Sequence, residues 1–143
     1  MSIAVEDTLV HALHRASQII EAQLAERLAG LDLTPRQATM LMAIGEAGEA
    51  MQTTLVAATG VDRSTIGTIF ERLEARKLIR RPRSMVDTRA RIVSLTDEGE
   101  RVERAARAIV EDVEQASRAR IGKDGAALDR ALKALAEDPT AAE

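Results

Sequence analysis

Arginine is the residue type with the clearest chemical potential in this 143-residue chain, and it is concentrated in one stretch. Residues 61–95 contain nine basic and four acidic side chains, a net charge of +5, whereas the rest of the chain carries −8. The basic residues are Arg63, Arg72, Arg76, Lys77, Arg80, Arg81, Arg83, Arg89 and Arg91. Guanidinium groups bind phosphate oxygens and the O6 and N7 atoms of guanine. The cluster is therefore typical of a nucleic-acid-binding surface, although solvated helix faces would carry the same charges.

The composition excludes several other kinds of chemistry. The chain has no Cys, which rules out disulfides, thiolate-bound zinc and sensing of peroxides through a thiol. Its two histidines, His11 and His14, lie close together without an evident third ligand, so we expect no metal site and no cofactor. No Gly-rich phosphate loop occurs, and the carboxylates are scattered as expected for solvated charge. We therefore predict that the protein is not an enzyme.

The overall composition is that of an ordinary soluble globular domain. The chain is 45% hydrophobic and 30% charged, and its length suits one domain with one core. Its apolar stretches are short and interrupted by charge, so we expect no membrane span. The N-terminus lacks a basic region followed by an apolar block, which predicts a cytoplasmic protein.

The spacing of apolar residues predicts a mainly α-helical fold. Apolar residues recur at steps of three and four from about residue 5 to 29, and Gly30 is expected to cap that helix. Thr34 followed by Pro35 is typical of the start of a second helix. A short third helix is expected over residues 53–59, before a turn at Gly60.

A fourth helix is expected to follow this turn, with Asp62 as its N-cap. Its apolar stripe is Ile66, Ile69, Phe70 and Leu73. Two β-rich runs over 78–82 and 91–95 then predict a hairpin. Thr96 is expected to cap a long fifth helix, and a sixth follows over about 124–137. The apolar stripe of the fifth helix is expected to be Val102, Ala105, Ala106, Ile109, Val113 and Ala116.

This order of elements predicts a winged helix-turn-helix within a single domain, 1–143. The DNA-binding part is expected to span 33–99. The flanking segments 1–30 and 97–138 carry apolar stripes that have no place in the winged-helix core. We therefore expect them to be dimerisation helices.

The fourth helix is the expected reading helix, because a second helix after a tight turn lies in the major groove. Burying its apolar stripe leaves short hydroxyls and basic groups outside. The predicted DNA contacts from this helix are Arg63, Ser64, Thr65, Thr68 and Arg72. The alternative for Ser64 and Thr65 is that they only help Asp62 to cap the helix.

The hairpin is the second predicted DNA contact. Closely spaced arginines contribute little to the stability of a purely structural hairpin, whereas they favour contact with phosphates or with a minor groove. The expected contacts are Arg81, Arg83, Arg89 and Arg91. We expect Arg89 at the wing tip, with Asp87 as an anion that supports the loop.

Three sequence segments resemble the MarR family of bacterial transcription regulators. The run from Thr53 to Arg81, which contains Gly60-Val61-Asp62-Arg63-Ser64-Thr65, is similar to the family's reading head. Asp87-Thr88-Arg89 followed by Ile92-Val93-Ser94-Leu95-Thr96-Asp97-Glu98-Gly99 is similar to its wing and the exit into the long helix. Leu33-Thr34-Pro35-Arg36-Gln37 resembles its second-helix opening.

The resemblance implies a homodimer that binds double-stranded DNA. A repressor of this kind binds a pseudo-palindromic operator, with half-sites about 34 Å apart, and is released by a small aromatic acid or thioester. The candidate effector-binding residues are His11, His14, Arg15 and Arg36. Two alternatives stay open: a DNA-binding protein without an effector, and a winged helix used only for protein–protein contact.

Overall fold

The computed structural model describes residues 2–81 and 92–137 of the chain. These residues form helices joined by a small sheet and three short 3₁₀ turns. The helices are α1 (Leu9–Leu28), α2 (Pro35–Ala47), α3 (Gln52–Thr59), α4 (Arg63–Ala75), α5 (Asp97–Ile121) and α6 (Gly125–Ala136). The strands are β1 (Glu49–Met51), β2 (Ile79–Arg80) and β3 (Ile92–Leu95). The mainly helical winged-helix fold expected from the sequence is confirmed.

Local capping residues fix where α2 begins. The Thr34 hydroxyl accepts a hydrogen bond from the backbone N–H of Gln37 at 3.2 Å, and the Gln37 side chain accepts one from the Thr34 N–H at 3.0 Å. Pro35 occupies the first helical position, where no N–H is needed. This reciprocal capping box explains why the sequence located the start of α2 correctly.

The end of α1 differs from the sequence prediction. Gly30 does not cap the helix, because the chain continues through a 3₁₀ turn over Ala29–Leu31. The left-handed residue is instead Asp32, with a φ of 53°. Asp tolerates this conformation better than most residues, since its short polar side chain can bond locally.

The sheet has the strand order β1-β3-β2, with both pairs antiparallel. Ile79 of β2 lies opposite Leu95, and Arg80 lies opposite Ser94. This pair confirms the two strands predicted for the hairpin. The third strand, β1, is not evident in the sequence; its Ala50 pairs with Val93.

One hydrophobic core joins the helices and the sheet of the central part. The whole predicted stripe of α4 is buried in it, including Phe70, which is fully enclosed. In α5, Val102, Ala106 and Val113 are buried as expected. Ala116, by contrast, is exposed, so the predicted stripe of this helix extends beyond the core.

The start of α5 packs tightly against the chain that follows α4. The Thr96 hydroxyl donates to the Lys77 carbonyl at 2.6 Å and accepts from the Gly99 N–H at 2.9 Å. The Thr96 N–H donates to the Leu78 carbonyl at 3.0 Å. A Cβ atom on Gly99 would lie 1.9 Å from that same Leu78 oxygen. The approach therefore requires glycine at this position.

The terminal segments leave many apolar side chains exposed. They are Ile3, Val5, Leu9, Val10, Leu13, Ile19, Ile20, Leu128, Leu132 and Leu135. An exposed apolar surface of this extent is typical of an interaction site. Among the described residues, no helix has both the length and the apolar content needed to cross a membrane.

Candidate nucleic-acid interface and ligand cavities

The turn between α3 and α4 sets the direction of the reading helix. Gly60 has a φ of 68°, a left-handed conformation that glycine adopts without steric cost. Its N–H donates to the Val56 carbonyl at 2.9 Å, which closes α3. The predicted role of Gly60 in this turn is confirmed.

The exposed side of α4 carries all five residues that the sequence predicts as DNA contacts from this helix. Arg63, Ser64, Thr68 and Arg72 are exposed, and Thr65 is half-buried. The opposite side is held in the core by the buried apolar stripe. The fold therefore presents hydroxyl and guanidinium groups together on the surface of one anchored helix.

Asp62 organises the first turn of α4. Its Oδ1 atom accepts hydrogen bonds from the Ser64 hydroxyl at 2.8 Å and the Thr65 N–H at 2.9 Å. Its Oδ2 atom accepts the Thr65 hydroxyl at 2.6 Å. The hydrogen bond from the Thr65 hydroxyl, followed by those from the Thr65 N–H and the Ser64 hydroxyl, holds the pKa of Asp62 far below its usual range. The capping role suggested as an alternative for both hydroxyls is thus present in the free protein.

Among the described residues of the +5 segment, Arg81 and Arg76 have side-chain partners within the chain. Arg81 forms an ion pair with Glu74, and its guanidinium lies 5.7 Å from the centroid of the Phe70 ring. Arg76 donates to the carbonyls of Leu31 and Asp32, at 3.0 and 2.5 Å. Arg76 therefore fastens the end of α4 to the turn before α2, a role that its charge alone did not indicate.

The remaining predicted wing residues are Arg83, Asp87, Arg89 and Arg91. All four lie outside the described residues. The strands that precede and follow them in the chain, β2 and β3, are paired.

The four candidate effector residues are not gathered into one site by any contact in the described structure. His11 is half-buried near the start of α1, and His14, Arg15 and Arg36 are exposed. None of the four lines either of the two cavities described below. Within residues 2–81 and 92–137, no three His, Asp or Glu side chains are grouped so that they could hold a metal ion.

The larger cavity, of about 700 Å³, lies between α1, the end of α5 and α6. Its lining residues are Leu13, Ala16, Ser17, Ile19, Ile20, Ser117, Arg120, Ile121, Leu128 and Leu132. The walls are mainly aliphatic, and Arg120 is the cation among them. We call this space the terminal-helix cavity. Sequence reasoning missed Arg120 and the two serines, because only the packing of α5 against α1 and α6 brings them to one space.

The smaller cavity, of about 450 Å³, lies between the end of α2 and the start of α5. Its three carboxylates and two guanidinium groups are paired with one another. Arg107 pairs with the buried Glu103 at 2.6 Å and with Glu46 at 3.2 Å. The hydrogen bond that Arg107 donates to Glu103, and then the one to Glu46, raise the pKa of Arg107 above its usual value. The cavity therefore contains a structural link between α2 and α5.

Comparison with known proteins supports this architecture. The model of the MarR family matches residues 31–90. The transcriptional regulator HosA of Escherichia coli O127:H6 is 33% identical over 105 residues, which cover 73% of this chain and 78% of HosA. The transcriptional repressor NicR of Pseudomonas putida KT2440 is 36% identical over 95 residues, covering 66% of this chain and 60% of NicR.

Solved structures of similar proteins have the same fold. The repressor CouR, in its complex with a 23-mer DNA duplex, is 27% identical with a TM-score of 0.83, and the match covers 96% of this chain and all of CouR. BpsR of Bordetella bronchiseptica, whose DNA binding is regulated by 6-hydroxynicotinic acid, is 24% identical. Its TM-score is 0.88, over 96% of this chain and 99% of BpsR. The chain therefore belongs to the MarR family of DNA-binding transcriptional regulators, which are not enzymes.

Proposed function

We propose that this protein is a homodimeric repressor that binds a pseudo-palindromic operator and is released by a small aromatic acid. The observation that carries the proposal is the anchored helix α4, with its exposed hydroxyl and guanidinium groups, in a chain whose terminal helices leave apolar surface uncovered. The relatives NicR and CouR are both repressors, which supports repression rather than activation by this protein.

The dimer is proposed from the two ends of the chain. Many apolar residues of α1 and α6 are exposed in a single copy, and burying them against a second copy removes them from water. A two-fold dimer presents two copies of α4, and its operator must then have matching half-sites. In this arrangement, 33–99 is the DNA-binding part and both ends of the chain supply dimerisation helices.

The proposed DNA contacts fall into two groups. Arg63, Ser64, Thr65, Thr68 and Arg72 belong to α4. Arg81, Arg83, Arg89 and Arg91 belong to the wing, with Asp87 as its support. Within the second group, Arg81 must exchange or share its partner Glu74 to reach a phosphate.

A salt titration tests the DNA contacts. Binding to a selected operator should weaken steeply as salt rises, with a log–log slope near −0.9 for each neutralised phosphate. Arg89→Ala should weaken binding to all sequences and reduce that slope by about one unit. Lys123→Ala, at an exposed cation between α5 and α6, is the matched control and should change neither quantity. An Arg89→Ala variant with unchanged affinity would remove the wing from the proposal.

The effector site is proposed to be the terminal-helix cavity. Its aliphatic walls suit an aromatic ring, and Arg120 can pair with a carboxylate. Packing of a second copy over α1 and α6 would enclose the cavity at the subunit interface. The response of BpsR to 6-hydroxynicotinic acid supports the choice of ligand class. His11, His14, Arg15 and Arg36 stay as the second set of candidates.

A release experiment distinguishes the two sets. 6-Hydroxynicotinic acid, other small aromatic acids and their thioesters are titrated into the protein–operator complex. Arg120→Gln should raise the concentration needed for release at least tenfold, because a hydrogen-bonded ion pair is lost. Arg36→Gln should leave it unchanged. The opposite result would indicate that the effector binds at the second set of candidates. If no compound releases the operator, a regulator without an effector is favoured.

A further inference from the structure

We propose that Ser64 and Thr65 meet DNA as hydrogen-bond acceptors only, so that α4 reads the amino groups of adenine or cytosine at these positions. The inference rests on the proposed function, in which α4 lies in the major groove. It assigns the kind of base atom that each hydroxyl can recognise.

The hydroxyls of Ser64 and Thr65 both donate their hydrogen atoms to the carboxylate of Asp62. The Ser64 hydroxyl lies 2.8 Å from one carboxylate oxygen of Asp62, and the Thr65 hydroxyl lies 2.6 Å from the other. An ionised carboxylate can only accept hydrogen bonds, so both hydroxyls must be the donors. The depressed pKa of Asp62 keeps this carboxylate ionised throughout the pH range of a binding experiment.

A hydroxyl has one hydrogen to donate and two lone pairs that can accept. With its hydrogen directed at Asp62, each of these hydroxyls has only lone pairs left for DNA. A phosphate oxygen is itself an acceptor and cannot bond to a lone pair. The two hydroxyls are therefore unsuited to phosphate contact in this arrangement.

The position of Asp62 also disfavours a phosphate contact at the start of α4. The N-terminus of a helix usually attracts a phosphate, because its free N–H groups carry partial positive charge. At α4 the carboxylate of Asp62 takes this position and accepts the Thr65 N–H at 2.9 Å. A phosphate placed here would be repelled by the carboxylate, so the first turn of α4 favours neutral base edges.

The major groove offers hydrogen-bond donors of one kind only. These are the N6 amino group of adenine and the N4 amino group of cytosine, whereas guanine and thymine present acceptors there. Ser64 and Thr65 therefore favour half-sites in which an amino group of adenine or cytosine lies next to each hydroxyl. The neighbouring Arg63 and Arg72 have the opposite preference, because guanidinium groups only donate.

The test begins with selection of the preferred operator by the full-length wild-type protein from a random DNA pool. Each adenine in a half-site is then replaced by purine and each cytosine by 2-pyrimidinone, which removes one amino group at a time. We expect at least one such replacement to weaken wild-type binding about tenfold. Thr65→Val or Ser64→Ala should weaken binding to the natural operator and should be insensitive to that same replacement.

A separate set of duplexes carries single neutral methylphosphonates in place of phosphates. The inference predicts that Ser64→Ala and Thr65→Val keep the wild-type sensitivity to every methylphosphonate. Thermal unfolding of each variant checks that the first turn of α4 is intact. Because Thr65→Val keeps the backbone N–H that Asp62 accepts, this variant stays informative even if Ser64→Ala is unstable.

The outcomes separate the inference from the proposed function. If the wild type binds a selected operator but tolerates every amino-group replacement, the hydroxyls do not read bases and the inference is wrong. It is also wrong if either variant loses sensitivity to one methylphosphonate, since that hydroxyl then contacts a phosphate. If the wild type selects no sequence and does not bind duplex DNA at low salt, the proposed function itself fails.

Discussion

Gly99→Ala is expected to lower the free energy of unfolding by about 3 kcal/mol, the upper end of the range for overpacking a tight contact. The added Cβ would lie 1.9 Å from the Leu78 carbonyl oxygen and 2.9 Å from its carbon. Both are backbone atoms, so no side chain can rotate away to relieve the clash. The first turn of α5 would have to separate from the chain that follows α4, which would also strain the hydrogen bonds of Thr96.

Gly67→Ala is the matched control, because it makes the same chemical change within a helix. A Cβ on Gly67 meets no atom within 4 Å, so this variant should instead be more stable by about 1 kcal/mol through its helix propensity. Urea unfolding, followed by circular dichroism at one protein concentration, measures both effects. Equal stability of the two variants would mean that the contact between Gly99 and Leu78 does not constrain the fold.

The sequence predicted those elements whose signals are local. Thr34 caps α2 and Asp62 caps α4 through side chains that bond to a backbone N–H three residues ahead. The apolar stripe of α4 is likewise a spacing within thirteen residues, and all of it is buried. Propensity and side-chain chemistry within one turn are enough to determine such features.

Features that depend on distant parts of the chain were not predictable. Strand β1 has three residues and exists because it pairs with β3, more than forty residues later. Arg76 and Arg81 both belong to the +5 segment, and Arg81 is a predicted DNA contact. In the structure, Arg76 donates to the Leu31 and Asp32 carbonyls, and Arg81 pairs with the Glu74 carboxylate. The sequence shows that a side chain is charged, but which group lies within hydrogen-bonding distance of it depends on the fold.

The candidate effector site shows the same limit. His11, His14 and Arg15 are predicted effector contacts on the first helix, yet none of them lines the terminal-helix cavity. Arg120 does line it, although it is one of several charged residues near the end of a long helix. Its significance comes from the apolar residues of α1 and α6 that surround it, and these are far away in sequence.

Leu135→Glu is expected to convert the proposed dimer into monomers at micromolar concentration. Leu135 is exposed in the single chain, on the same face of α6 as Leu128 and Leu132, and a second copy should cover it. Placing a carboxylate in an apolar interface costs several kcal/mol unless a cation pairs with it. The dimer dissociation constant should therefore rise at least a hundredfold. Sedimentation equilibrium of both proteins measures it directly.

Ala134→Glu introduces the same charge on another face of α6 and serves as the control, which should remain dimeric. The monomeric Leu135→Glu protein should keep its helical circular dichroism, because Leu135 lies outside the buried core. Its affinity for the full operator should fall about a hundredfold, since one copy of α4 can engage only one half-site. A wild-type protein that is already monomeric, or a dimer that tolerates the substitution, would place the subunit contact elsewhere or remove it. In either case the uncovered faces of α1 and α6 would need a different partner.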